Sequence, residues 1–336
     1  MTNETNDTGQ ALTIQLPQQV EEALRHCPTL PSLPSVALKI LELSRQADMD
    51  FSTLTTALEK DPALVAKLLK VSRSPLYSAG GVNVRNLQHA LSIIGLHATI
   101  AIALGFSVSQ TLKSDGNNVY GLKIWRRALL SALAARCLGI ALERDNIEEL
   151  FLTGLLQDLG ILALAVALPD DYKNIWLQAQ DHDMLVRLER ETLACDHMQA
   201  GAWLMQYWGL PSYVADAAAA SHEPNEIATL TADQVFVHSI ALSGRLADLF
   251  RPIAFYMDDD MSITSYMDQL LGLAEDWCGL APSELEQVLV NISSMIPEIE
   301  DLFETQLLAR EQVEGIMAQA QELLMLRNLQ YMSQST

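Results

Sequence analysis

Phe151-Leu152-Thr153-Gly154-Leu155-Leu156-Gln157-Asp158-Leu159-Gly160 sets an amide and a carboxylate side by side inside an apolar run. The run belongs to a longer stretch, Leu150 to Pro169, that reads either as a membrane span or as buried helix. Polar and ionisable groups are costly in lipid, and Gln157 and Asp158 fall in the middle of the stretch. It is therefore read as core helix of a soluble protein, with helix predicted over Ile147 to Val166 and stopped by Pro169. Gly154 and Gly160 are read as places where helices approach closely or end, not as phosphate-binding glycines. Asn86 to Leu112, which carries no formal charge but contains Gln88, His89, Ser92, Gly95, His97 and Thr99, is also read as core helix.

Helical signals dominate on both sides of this segment. Ser35 sits where an N-cap belongs, ahead of Val36, Ile40, Leu41 and Ser44 at helical spacing. Asp61-Pro62 is a second start, because Asp caps and Pro fits the first helical position. Leu64, Val65, Leu68 and Leu69 then form one apolar face. Pro75 and Gly80-Gly81 end that region, and Val84 to Ser109 is predicted helical with a break near Gly95. After a polar turn at Ser114 to Asn118 comes an Ala-rich helix from about Lys123 to Leu142. Asp171 to Gln180, Met184 to Gln206 and a helix opened by Leu210-Pro211 follow. Thr229 to Gln330 is predicted helical, with breaks at Pro252, Gly279 to Pro282 and Pro297. No alternating run argues for a sheet, and no fixed-period repeat is seen. The apolar positions of the tail, Val313, Ile316, Ala320, Leu323 and Leu324, partly follow a heptad. They admit either a docked terminal helix or a dimerising, signal-transmitting one.

Bulk properties narrow the function classes. The chain has 336 residues, 49% hydrophobic and 19% charged, which is a globular balance. Its formal charge of -21 opposes binding to nucleic-acid phosphates and adsorption to anionic membranes. Cys27, Cys137, Cys195 and Cys278 are widely separated, so neither a zinc knuckle nor a disulfide framework is expected, and reduced thiols in a cytoplasm fit best. Met1 to Gln10 lacks the apolar core of a signal peptide. No P-loop or dinucleotide fingerprint is present.

Six segments, in order, give the chain a resemblance to a known family. They are Leu30-Pro31-Ser32-Leu33-Pro34; Asp61-Pro62-Ala63-Leu64 with Lys67-Leu68-Leu69; Ala90-Leu91-Ser92-Ile93-Ile94-Gly95; the segment Phe151 to Gly160; Asp196-His197-Met198-Gln199-Ala200-Gly201 with Trp208-Gly209-Leu210-Pro211; and His222-Glu223-Pro224. Together they resemble the HDOD family, a regulatory relative of the HD phosphohydrolases, over about Leu30 to Pro224. The resemblance implies an all-α, two-lobed HD-like architecture with additional C-terminal helices. The expected organisation is a flexible N-terminus over 1–17 and an HDOD domain over 18–225, its N-terminal lobe reaching about 115 and its HD-like lobe starting near 120. A helical extension over 226–300 and a C-terminal helix over 301–336 complete it.

HD phosphohydrolases gather His and Asp side chains from several helices around one or two divalent metals, which activate water and clamp phosphate oxygens. The family's first histidine is expected just after a tryptophan, where this chain reads Trp125-Arg126-Arg127-Ala128. Arginine stays protonated and cannot be a ligand. The His-Asp pair that names the superfamily reads Gln157-Asp158, and an amide is a poor replacement for imidazole. Asp158, His197 and His222 remain. The set Arg127, Gln157, Asp158, His197 and His222 is thus read as a vestigial pocket with no catalytic residue, no native metal and no cofactor. Within it an Arg127–Asp158 ion pair is expected to replace the lost cation, with Arg126 as the fallback register and a solvated Lys123, Arg126 and Arg127 face as the plain alternative. His197 and His222 also read as hydrogen-bonded structural histidines, and His89, His97 and His238 as satisfied core or boundary ones. Trp203, Tyr207 and Trp208 read as packing. Arg73 stands where the family usually has asparagine, which removes a turn-forming side chain.

The resulting expectation is a bacterial, cytoplasmic, non-enzymatic signal-transduction module. It would act through protein partners of two-component, motility or cyclic-di-GMP signalling, without nucleic acid or membrane insertion, and with homodimerisation left open. The alternatives are a metal-dependent HD-type phosphohydrolase or phosphodiesterase, and a small-molecule sensor using the vestigial pocket. A deep pocket would favour the sensor; a filled one beside exposed apolar surface would favour the scaffold.

Overall fold

A computed structural model of the protein describes residues 14–28, 30, 39, 51–77, 84–96, 98–103, 105–106, 119–226, 232–250 and 263–334. The expected first turn at Ser35, the polar N-terminus, His97, the turn at 114–118 and the break at Pro252 lie outside these residues. Among the described residues there are fifteen helices and no strand, so the protein is all-α.

The helices are α1 (Gln18–His26), α2 (Phe51–Leu58), α3 (Pro62–Val71), α4 (Leu87–Ile94), α5 (Val119–Ala141), α6 (Ile147–Leu156), α7 (Leu159–Ala167), α8 (Pro169–Gln178), α9 (His182–Leu193), α10 (His197–Trp208), α11 (Ser212–Ala219), α12 (Gln234–Leu249), α13 (Ile263–Cys278), α14 (Pro282–Phe303) and α15 (Arg310–Gln334). Local chemistry sets many of their ends. The Asp61 side chain accepts from Leu64 N at 3.0 Å, so the Asp-Pro step opens α3 as its chemistry requires. Gly95, at φ +82°, ends α4.

The central element is α5. Its residues Ala128, Leu129, Ala132, Leu133, Ala134, Ala135, Cys137 and Leu138 are all buried, so the helix is apolar around nearly its whole circumference. It packs against α6, α12 and α14. Gly154 makes the α5–α6 approach possible, since a Cβ there would come within 2.9 Å of the Ser131 carbonyl oxygen. Arg136 on α5 reaches the N-terminal helices: it pairs with Glu148, donates to the Leu76 carbonyl at 2.8 Å and lies 4.8 Å from the Tyr77 ring centre. Tyr77 in turn donates to Glu148 at 3.0 Å.

Four boundaries differ from the sequence reading. The stretch Ile147 to Val166 is two helices, α6 and α7, with Gln157 and Asp158 at the junction. Pro169 occupies the first position of α8, so it opens a helix as well as following one. Met184 to Gln206 is also two helices, because Ala194 adopts a left-handed conformation (φ 57°) and Asp196 caps a new start. Pro297 lies inside α14 and does not end it. Ile292 and Ile296 before it, and Ile299, Leu302 and Phe303 after it, are all buried, and this packing offsets a proline penalty of about 3 kcal/mol. Ile147–Ala167 is long and apolar enough to cross a membrane by length and composition, yet it is mostly buried inside the fold.

The C-terminal helix is docked. Ile316, Met317, Ala320 and Leu324 are buried, and α15 packs on α13 and α14. Its other side leaves Met325, Leu326 and Leu329 exposed.

Candidate functional site

Two Asp-His steps build one wall of the site. Asp181 caps α9 by accepting from Met184 N at 2.6 Å, and Asp196 caps α10 by accepting from Gln199 N at 2.9 Å. Each cap places the following histidine, His182 or His197, at the first helical position, where it faces inward. Gly160 on α7 lets the start of α10 come close, because a Cβ there would lie 1.8 Å from the His197 carbonyl oxygen. This contact brings His197 beside Asp158, which precedes α7. His222, just beyond α11, closes the opposite side.

The three imidazoles converge through their Nε2 atoms. His197 Nε2 lies 3.3 Å from His182 Nε2 and 3.4 Å from His222 Nε2. The rings of His182 and His222 stack at 4.6 Å, while His197 meets each of them edge-on. Asp158 Oδ1 points at the same place, 3.7 Å from His182 Nε2 and 3.9 Å from His197 Nε2, and it is buried without a hydrogen-bond donor. One ligand atom from each of Asp158, His182, His197 and His222 falls within 4.8 Å of all the others.

Outer groups fix these side chains. Glu189 Oε2 accepts from the His197 backbone N–H at 2.9 Å and from His197 Nδ1 at 2.6 Å. Holding the proton on Nδ1 leaves the Nε2 lone pair facing the cluster. The Tyr172 hydroxyl donates to the other Glu189 oxygen. Arg190 donates to Asp196 at 2.8 Å and, through both terminal nitrogens, to Glu223 at 2.9 and 2.7 Å, clamping the α9–α10 corner to the His222 turn. These hydrogen bonds from Arg190 hold the Glu223 carboxyl below its ordinary range. Burial first, then the neighbouring His197 and Arg127, hold the His222 imidazole well below its ordinary value, so it stays neutral.

The second carboxylate oxygen of Asp158 is taken by Arg127. The guanidinium Nη1 donates to Asp158 Oδ2, Nε donates to Asp248 Oδ1 at 3.0 Å, and Nη2 donates to the Gly244 carbonyl at 3.2 Å. Side-chain exposures are 11% for Arg127, 1% for Asp158 and 5% for Asp248, so this is a buried network and not a solvated basic face. Gly244 makes room for it, since a Cβ there would meet Arg127 Nη2 and Gln157 Oε1 at 3.1 Å. Arg127, not the fallback Arg126, is the residue in register. Gln157 is buried and donates at 3.3 Å to Ser243 Oγ and to the Gly154 carbonyl, so its amide ties the α6–α7 junction to α12.

The structure therefore brings together Arg127, Gln157, Asp158, His197 and His222. Sequence reasoning missed His182, Asp248, Glu189 and Tyr172. His238, by contrast, is satisfied elsewhere: its Nδ1 lies 2.8 Å from the Trp277 carbonyl oxygen and its Nε2 lies 3.0 Å from Asn225 Oδ1. Trp203 is buried, but Tyr207 is exposed and stacks on it at 5.4 Å.

These features coincide with a known domain. The sequence profile of the HDOD domain matches residues 30–224. The chain belongs to the HDOD family. The fold is shared with an HDOD domain protein of unknown function from Geobacter sulfurreducens (18% identity, TM-score 0.65, covering 86% of this chain and 97% of that one). It is also shared with a candidate phosphohydrolase from Shewanella amazonensis SB2B (17% identity, TM-score 0.66, 88% and 100%) and a candidate signal transduction protein from Marinobacter aquaeolei VT8 (21%, 0.58, 92% and 68%). No curated protein matches the chain in sequence.

HD chemistry implies up to two divalent ions, and the residues fit that requirement in part. The orphaned Asp158 Oδ1 and three converging imidazoles suit one ion. Asp158 Oδ2 and Asp248 are bridged by the Arg127 guanidinium and not by the side chains of that cluster. A separate cavity that reaches Asp158 is lined otherwise by apolar side chains, Ile124, Trp125, Ala128 and Leu162 among them, and by none of the histidines; it measures about 10 Å³, room for about one water.

Proposed function

We propose that this HDOD protein is a non-catalytic regulatory module of bacterial signal transduction, working in the cytoplasm through contacts with other proteins. The observation that carries the reading is the Arg127 guanidinium bound to both Asp158 and Asp248. A guanidinium neutralises carboxylates but offers no coordination site, so it cannot lower the pKa of a bound water or bridge phosphate oxygens as a metal does. Gln157, in the place of a ligand, spends its amide on Ser243 and Gly154.

The surface supports protein contact. Met325, Leu326 and Leu329 form an exposed apolar strip on a helix whose other side is anchored in the core. Methionine and leucine strips of this kind adapt to partner helices. The phosphodiesterase reading keeps one argument, the three histidines and Asp158. The deciding assay is hydrolysis of bis(p-nitrophenyl) phosphate by protein supplied in turn with manganese, iron, zinc and nickel. The expected rate equals that of Asp158→Asn; turnover that depends on Asp158 would overturn the non-catalytic reading.

A further inference from the structure

We infer that His182, His197, His222 and Asp158 hold a single divalent transition-metal ion in a closed, four-ligand site. His182 is the decisive member: it comes from a helix start that the HD-type ligand pattern does not use, and it completes the set after the losses at Arg127 and Gln157.

The geometry carries this assignment. Around a tetrahedral zinc with Zn–N bonds of about 2.0–2.1 Å, neighbouring ligand atoms lie about 3.3 Å apart. The His197–His182 and His197–His222 nitrogen pairs are 3.3 and 3.4 Å apart. Asp158 Oδ1 lies 3.7 and 3.9 Å from two of these nitrogens, and the four ligand atoms all fall within 4.8 Å of one another. It is a buried, donorless oxygen aimed into the cluster, which is costly unless a cation answers it. The Glu189–His197 Nδ1 contact, with Tyr172 behind it, is the carboxylate–imidazole support that orients metal-ligating histidines.

Charge points the same way. Glu189, Asp158 and Asp248 are three carboxylates with buried side chains, and the Arg127 guanidinium is bonded to the last two. Arg245, which also acts on Asp248, is bound bidentately by Asp183 at 3.0 and 2.8 Å. A cation at the cluster adds countercharge to Asp158, whose Oδ1 faces the histidines, and to Glu189, which holds His197. Three imidazoles and one carboxylate select zinc-like ions over magnesium or calcium, which prefer all-oxygen shells. Four protein ligands leave no open position for water, so the ion would lock the α6–α7 junction to the starts of α9 and α10 and the exit of α11. That structural role rests on the non-catalytic reading above; the ion's presence rests on the cluster alone.

The test is a cobalt(II) titration of the metal-stripped full chain, read by visible absorption, with zinc competition for affinity. The expected result is an intense tetrahedral-type band saturating at one ion per chain. His182→Ala and His182→Gln are each expected to weaken binding by more than about 100-fold, beyond the effect of losing an outer partner. His238→Gln is expected to change nothing. The absence of any such band in the wild-type protein would overturn the site, whatever the variants do. A band that His182→Gln leaves intact, in protein of unchanged circular dichroism, would also overturn it. Hydrolysis by the loaded protein would count against the non-catalytic reading and leave the ion's assignment standing.

Discussion

Glu189 grips His197 twice through one oxygen, accepting from its backbone N–H at 2.9 Å and from its imidazole Nδ1 at 2.6 Å, while Tyr172 donates to the other oxygen. All three residues are buried. A carboxylate accepts in every direction, whereas an amide must turn two hydrogens toward some neighbour. Glu189→Gln therefore sets a donor against a donor, and it is expected to lower unfolding stability by about 1–3 kcal/mol in urea titrations. Tyr172→Phe, which removes one donor and keeps the ring, is expected to cost about 1 kcal/mol. Equal stability of Glu189→Gln and wild type would show that the carboxylate is not needed to hold His197.

Gly160 is the contact on which the site's assembly turns. A Cβ would overlap backbone atoms of α10, the His197 carbonyl at 1.8 Å and Gly201 N at 2.6 Å, and backbone cannot rotate aside as a side chain can. Gly160→Ala is expected to destabilise the fold by about 3 kcal/mol or more through overpacking. Gly201→Ala meets its nearest atom only at 3.1 Å and is expected to be much milder. Thermal unfolding of the two variants in parallel checks the order; a harmless Gly160→Ala would contradict the close approach of α7 and α10.

How far the site was legible follows from where its parts lie in the chain. The Asp61-Pro62 start, the break at Gly95 and the Arg127–Asp158 partnership are written in local chemistry or in a pattern with two members missing. His182 was not singled out because Asp181-His182-Asp183 reads as an ordinary polar helix start; its likeness to Asp196-His197, an Asp cap followed by an inward histidine, was the available signal. Asp248 was invisible for a different reason. It lies 121 residues beyond Arg127, past the end of the family pattern, and only the packing of α12 on α5 brings it in. Boundaries failed where tertiary packing overrode local preference, as at Pro297, or where one left-handed residue, Ala194, split an apparently continuous helix.

Cys137 provides a test of the core by pH. Burial pushes its thiol up to about 12 from an ordinary value near 9, although Arg136 beside it acts in the opposite direction. The raised value means that the folded state keeps a proton that the unfolded chain releases. The contribution is present in full below pH 9 and is lost as pH rises toward 12, at up to about 1.4 kcal/mol per pH unit. Urea titrations between pH 8 and 10 are expected to show this loss, reduced in Cys137→Ala. Native protein at pH 8 is expected to label with iodoacetamide at Cys27 and not at Cys137. Rapid labelling of Cys137 would mean that α5 is not the closed centre of the fold.

The central claim is that Arg127 serves as a permanent cation for Asp158 and Asp248. A double-mutant cycle by urea unfolding, with Arg127→Met, Asp158→Asn and the pair, tests it most directly. Removing one partner of a buried pair exposes the other uncompensated, so Arg127→Met is expected to cost about 3–5 kcal/mol. Adding Asp158→Asn is expected to recover a substantial part of that loss, giving a coupling of about 2 kcal/mol. Simple additivity of the two substitutions would contradict the claim.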